Sequence, residues 1–155
     1  MWTQQGWLYL AVVIDLYSRK VVGWSMGRHL TSSLVCDARQ LALWRRRPPK
    51  GQRIHHSDRG VPYASRAFRT LLRTQGVEGS MSRNGDCWDK AVVESFFGSW
   101  KSERSHWRNY QTREETRVDI VDYITMFYNS RRLPAYLGYR SPDEFERNGP
   151  LTDAA

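Results

Sequence analysis

Two acidic residues stand where proteins commonly expose reactive groups. Asp58 lies in His55-His-Ser-Asp-Arg-Gly60, directly after a short β-prone run and beside a glycine available for a turn. Strand ends of this kind are where α/β folds present functional side chains. Glu94 lies in Trp88-Asp-Lys-Ala-Val-Val-Glu-Ser-Phe-Phe97, flanked by Val93, Phe96 and Phe97 at the edge of an apolar helical face. A carboxylate there can pair with a cation, ligate a metal or simply mark the helix rim, and the residues alone favour the rim. Other chemistries find less support. His55 and His56 are adjacent rather than at helical metal-ligand spacing, and Cys36 and Cys87 are too few for a four-cysteine zinc site or a disulfide framework.

The elements that must position these acids are legible from periodicity. Trp7 to Ile14 is continuously apolar, β-rich and short, and so predicts a strand buried on both faces. A polar break, Asp15-Leu-Tyr-Ser-Arg19, leads to Val21-Val-Gly-Trp24, and the pair reads as an antiparallel hairpin. A helix is predicted from Ser32 or Ser33 to about Trp44, with Leu34, Ala38 and Leu41 on one face. The run Arg45-Arg-Arg-Pro-Pro-Lys50 should stop it as an exposed loop. Next come a strand over Arg53–Ser57, a helix capped by Ser65 with Phe68, Leu71 and Leu72 inward and Gly76 at its end, and a strand over Val77–Ser82.

Arg83 to Cys87 reads as a loop, followed by a helix from Trp88 carrying Ala91, Val92, Ser95, Phe96 and Trp100. Thr112-Arg-Glu-Glu115 and Ser141-Pro-Asp-Glu144 are capping boxes. The last third is helical. The sum is a mixed α/β domain.

Composition narrows the partners. The 155 residues carry 24 Lys and Arg against 16 Asp and Glu, a formal charge of +8, which suits a polyanion. Seven Trp and eight Tyr exceed what a core of this size needs, so some are available to pack against a partner. The longest apolar run is too short to span a bilayer, and no signal peptide is evident, so a reducing, cytosolic setting is expected.

Four segments, in order, carry a resemblance. They are Gly6 to Trp24, His56-Ser-Asp-Arg-Gly60, Ser80 to Glu103, and Tyr128-Asn-Ser-Arg-Arg132 with Leu137-Gly-Tyr-Arg-Ser-Pro142. Together they resemble the integrase core of bacterial insertion-sequence transposases, of the DDE type, related to retroviral integrases. The resemblance implies a ribonuclease H-like fold: a mixed sheet flanked by helices, with residues 1–108 as the catalytic core and 109–155 as its helical C-terminal part.

It also implies three carboxylates holding two Mg²⁺ or Mn²⁺ ions for DNA strand cleavage and transfer. The second acid falls on Asp58 and the third on Glu94, with 35 residues between them, as is usual in that group. Hard divalent cations prefer such oxygens. The first acid would sit in an Asp-Ile-Thr-like motif ahead of Met1, so the core is expected to be N-terminally truncated and inactive by itself. Asp15 is rejected as a substitute because it matches the turn after the following strand, where it caps. Asp86 and Asp89 match loop and cap positions.

Lys101 lies two turns after Glu94 on the same helix face and, like Lys90, Arg59 and Arg83, is a candidate phosphate contact; Arg131, Arg132 and Arg140 are weaker ones. Lys90 and Trp100 stand where the family often has Asn and Leu. The partners implied are DNA, as transposon ends and target, and further copies of the chain, in the bacterial cytoplasm at the nucleoid. The alternative is a non-catalytic DNA-binding remnant of a decayed element. A nuclease acting on RNA is disfavoured by the Tyr128-to-Pro142 segment.

Overall fold

A computed structural model describes residues 1–47, 54–57, 61–81 and 88–149. Two short strands, β1 (Trp2–Thr3) and β2 (Gly6–Trp7), form an antiparallel hairpin turned at Gln4 and Gln5 and leaving the turn through Gly6, whose φ of +99° suits glycine. The expected larger hairpin follows, with β3 (Tyr9–Ile14) antiparallel to β4 (Val21–Gly27). The intervening turn is organised by Asp15, whose Oδ1 accepts from the backbone N–H of Tyr17 at 3.0 Å and of Ser18 at 3.2 Å.

Helices cover both faces of β3, as its apolar run predicts. Ala11 packs with Leu34, Val35, Ala38, Phe68 and Leu72, while Leu8, Leu10, Val12 and Ile14 join a second cluster around Phe96, Trp100, Ile120 and Tyr123. Yet Ala11 is the only fully buried residue within the strand. The reason is that β3 pairs along one edge only among the described residues, so most of its side chains stay half-buried.

Helix α1 (Ser32–Arg46) starts at a Thr31 cap and lies against β4. Gly23 makes the approach possible, since a Cβ there would stand 2.2 Å from the carbonyl oxygen of Ala38. The helix runs two residues further than expected, and the first part of the basic run is not a free loop. Arg45 stacks 4.0 Å over the Trp24 ring, and Arg46 binds Glu146 and Asp15. Local aromatic and acidic partners from distant segments recruited them into the helix. Pro48, Pro49 and Lys50 lie outside the described residues.

β5 (Ile54–Ser57) pairs in parallel with β6 (Glu78–Met81), joined through α2 (Val61–Ala64) and α3 (Arg66–Thr74). Ser65 caps α3 and Gly76 adopts φ +62° just after it, both as read from sequence; the single turn α2 has no such signal. α4 (Trp88–Glu103) leads through a 3₁₀ turn (Ser105–Trp107) to α5 (Arg113–Asp122), which continues as a π-helical turn (Tyr123–Tyr128) before α6 (Pro142–Asn148). The α6 capping box is complete. That of α5 is half formed: Thr112 accepts from the Glu115 N–H, but Glu115 turns back to the N–H of Gln111 instead. No described helix is long and apolar enough to cross a membrane.

The last third closes the hairpin. A register shift between Val13 and Ile14 leaves Val22 as the extra residue of a bulge, and there the Asn129 side chain replaces a strand partner. Its Oδ1 accepts from Val21 N–H at 2.9 Å and its Nδ2 donates to Val21 O at 3.0 Å. Nearby, Glu146 of α6 accepts from Ser18, Lys20 and Arg46.

Burial alone would raise the Glu146 carboxyl, but these hydrogen bonds outweigh it and hold the group below the usual glutamate range. A depressed carboxylate contributes stability that is present above its unfolded pKa and lost as pH falls through the folded one. Acid unfolding between the ordinary glutamate value and that lower one should therefore be shallower in Glu146→Gln than in the native chain. Thermal melts across pH check this; parallel acid limbs would count against it.

Candidate active site

Glu94 projects from the outer face of α4, where Ala91, Ser95, Gly98 and Lys101 are also exposed. The inward stripe runs through Val92, Phe96, Ser99 and Trp100, while Ala91 and Ser95 face outward. Helical spacing decides it, because residues three and four from Phe96 share its side and Ser95 does not. Phe96 and Trp100 anchor that stripe against Tyr123, at ring separations of 6.2 and 5.0 Å, which fixes the rotation of α4 and hence the direction of Glu94. Trp100 thus fills the core.

Among the described residues Glu94 makes no hydrogen bond or ion pair. The rim reading of this acid holds for its location. An exposed carboxylate without a partner, though, is also what a ligand to a hard cation looks like before it binds, and the donor chemistry fits Mg²⁺ or Mn²⁺. Asp58 lies outside the described residues, one position beyond the end of β5, and so do Arg59, Arg83 and Asp86. Lys90 falls in the first turn of α4. Asp89 is the second residue of that helix and so is not its cap. No group of three His, Cys, Asp or Glu side chains that could hold a metal occurs among the described residues.

Lys101 is exposed, has no acidic partner among the described residues, and lies seven positions after Glu94. At 1.5 Å per residue that is about 10 Å along one helix face. The α-ammonium group of Met1 is held below its ordinary value, first by burial and then by repulsion from Lys101, so the lysine charge stands near the chain start.

The remaining arginine candidates divide. Arg132 is committed inward, to Glu103 at 3.2 Å and Ser99 at 2.7 Å, and lies over Tyr128. Arg140 donates to the backbone oxygens of Leu137 and Gly149 and stacks on Phe145. Arg131 is exposed.

The end of α4 is fixed by a cluster that periodicity did not reveal. Asp119, 6% exposed, accepts from Arg104 at 2.7 Å, Arg108 at 2.6 Å and the Tyr110 hydroxyl at 2.6 Å. Burial, then the bond to Asp119, pushes the Tyr110 phenol up. Beside it an open cavity of about 850 Å³ separates the Met1–Leu10 segment from the second half of α4 and residues 105–111. The excess of tryptophan was the only sequence signal for it.

The chain is similar to known proteins. Two integrase core domain profiles match residues 1–87 and 94–149. The chain is 48% identical over 144 residues to the transposase InsF for insertion sequence IS3A of Escherichia coli, covering 93% of this chain and 50% of that protein. It is 41% identical over 145 residues to the transposase for insertion sequence element IS904 of Lactococcus lactis, covering 94% and 57%. The chain therefore spans about half the length of the curated relatives it matches.

Two solved structures share the fold. One is a simian T-cell lymphotropic virus intasome in complex with PP2A regulatory subunit B56 gamma, with TM-score 0.67, 17% identity, and coverage of 92% of this chain and 49% of that one. The other is the catalytic core domain of BIV integrase, with TM-score 0.55, 15% identity, and coverage of 88% and 83%. The ribonuclease H-like, mixed helix-and-strand architecture expected from sequence is thus the one found.

Proposed function

The chain belongs to the integrase core domain family, and from that premise we propose that it is the catalytic core for metal-dependent cleavage and transfer of DNA strands during transposition. The observation that carries the reading is Glu94: exposed, without an internal partner, held at a fixed rotation by Phe96 and Trp100, and sharing its helix face with Lys101. Asp58, one residue past the end of β5, is the second acid of the same set.

Bound to these carboxylates, a pair of Mg²⁺ or Mn²⁺ ions would supply activation of a water or 3′-hydroxyl and neutralisation of the leaving oxygen. The chain's own residues do the rest. Asp58 and Glu94 present hard oxygen donors from a strand end and a helix. Lys101 holds a backbone phosphate about two helical turns from Glu94, which aligns the strand with the acids. The partners are element ends and target DNA, and the working form is an assembly of several copies.

Binding itself has a separate test. Labelled duplex should bind the 155-residue chain without any divalent metal, and log affinity should fall linearly with log salt concentration, because each neutralised phosphate releases counterions. Lys101→Ala should weaken binding to all sequences alike and reduce the slope by about one. An affinity indifferent to salt would remove the DNA reading. Cleavage of a labelled element end by residues 1–155 joined to an upstream Asp-bearing segment of the family tests the catalytic part.

A further inference from the structure

The cavity beside Lys101 has a chemistry of its own. Trp2 and Trp7 form its outer wall, their rings edge to face at 5.4 Å, yet they stay 62% and 53% exposed. Large aromatic faces left in water on a two-residue hairpin contribute little to the core. Lys101 and Arg108 supply positive charge, and no Asp or Glu is among the lining residues. Arg108 spends one N–H on Asp119 and keeps the rest of its guanidinium, with half of the side chain exposed. Gln4, Asn109 and Gln111 add amide groups around the opening. Deeper in, Trp100 is 2% exposed and its indole N–H has no acceptor among the described residues. The volume falls within the range of about 300–1,000 Å³ usual for small-ligand sites.

Aromatic faces, a lysine with no acidic partner among the described residues, an arginine half of whose side chain is exposed, and amides together match one ligand class, a nucleotide whose base is not stacked in a duplex. We propose that the Trp2–Trp7 cavity captures an unpaired nucleotide of the DNA strand that runs along α4 from Glu94. Its base stacks on the tryptophans and its phosphate lies against Lys101 and Arg108. This rests on the DNA reading above and adds a preference to it: the chain distinguishes an end with unpaired bases from a blunt one. Stacking on an aromatic side chain contributes about 1–3 kcal/mol per base, or about 5- to 150-fold in affinity.

The test uses the 155-residue chain, fluorescence anisotropy, and one labelled duplex either blunt or bearing a three-nucleotide single-stranded tail. The native chain should bind the tailed duplex at least about fivefold more tightly. Trp2→Ala and Trp7→Ala should each lower that preference while leaving blunt-duplex affinity unchanged, and Trp2→Phe should retain most of it. A tail carrying 5-bromouracil should crosslink to Trp2 or Trp7 on irradiation, which needs no substitution and so is immune to a folding defect.

Equal binding of the two duplexes, a preference that survives both alanine variants, or crosslinks confined to other residues would overturn the cavity while leaving the DNA reading intact. Failure to bind either duplex would overturn both.

Discussion

Glu94→Ala, made in a chain that joins residues 1–155 to an upstream Asp-bearing segment of the family, should lower strand transfer by about three orders of magnitude. A carboxylate that fixes a metal pair underwrites several kcal/mol of transition-state charge stabilisation, and each 1.36 kcal/mol is tenfold in rate. Glu94 is exposed and unpartnered, so the fold should not register the change; surface substitutions of this kind stay within about 0.5 kcal/mol. Metal-free duplex affinity should likewise hold, since Lys101 and the other cations remain. Glu94→Gln should fail as fully as alanine, because an amide keeps the size and loses the charge. Asp58→Ala should match it.

Product gels for strand transfer, melting curves and anisotropy in the absence of divalent metal separate the three effects. Residues 1–155 tested without that upstream segment should transfer little or nothing. Full transfer by that stretch, or by the Glu94→Ala protein, would overturn the mechanism.

The second large effect is on stability. Asp119→Ala removes the shared acceptor of Arg104, Arg108 and Tyr110, leaving a buried phenol and the Arg108 guanidinium unpaired while Arg104 keeps Asp122 at 2.7 Å. Removing one partner of a buried charge cluster costs about 3–5 kcal/mol. Arg104 and Arg108 reach solvent, at 23% and 50% side-chain exposure, which places the expectation near the lower figure, about 3 kcal/mol. For a chain of this length that is a fall in Tm of about 10 °C. Arg108→Ala should cost under about 1 kcal/mol, since it removes the most exposed member and leaves Asp119 two donors. Urea titration of both variants checks the contrast. Equal and small losses would show that Asp119 does not organise the end of α4.

How far the sequence discloses all this depends on the range of the interaction. Caps at Ser65, Thr112 and Ser141, the glycine after α3 and the turn at Asp15 are local, each written within five residues, and each appears in the structure. The α4 helix is legible in the sequence, but its inward stripe is not, because Ala91 and Ser95 are neutral markers whose side the Phe96–Tyr123 contact decides. The Arg45–Lys50 run looked like solvated charge because its acidic partner, Glu146, lies 100 residues away from Arg46. The Asp119 cluster joins residues 9 to 15 positions apart across the bend between α4 and α5, which the periodicity of a single helix does not show. Glu94 was found through a motif shared with a family, not through periodicity, which by itself favoured an unremarkable helix rim. Asp58, Arg59 and Arg83 fall outside the described residues, so their part in the site stands on sequence alone.

The bond pair between Asn129 and Val21 sets an order of events during synthesis. β4 emerges from the ribosome with its bulge lacking a partner, and the side chain that satisfies it is encoded 108 residues later. At about 5–20 residues per second, the first hairpin waits roughly 5–20 s with that edge open. The wait for Lys20 is longer still, since its partner Glu146 follows 126 residues behind. The core can therefore close only as translation nears residue 146, and until then the nascent chain exposes a strand edge that another chain could occupy.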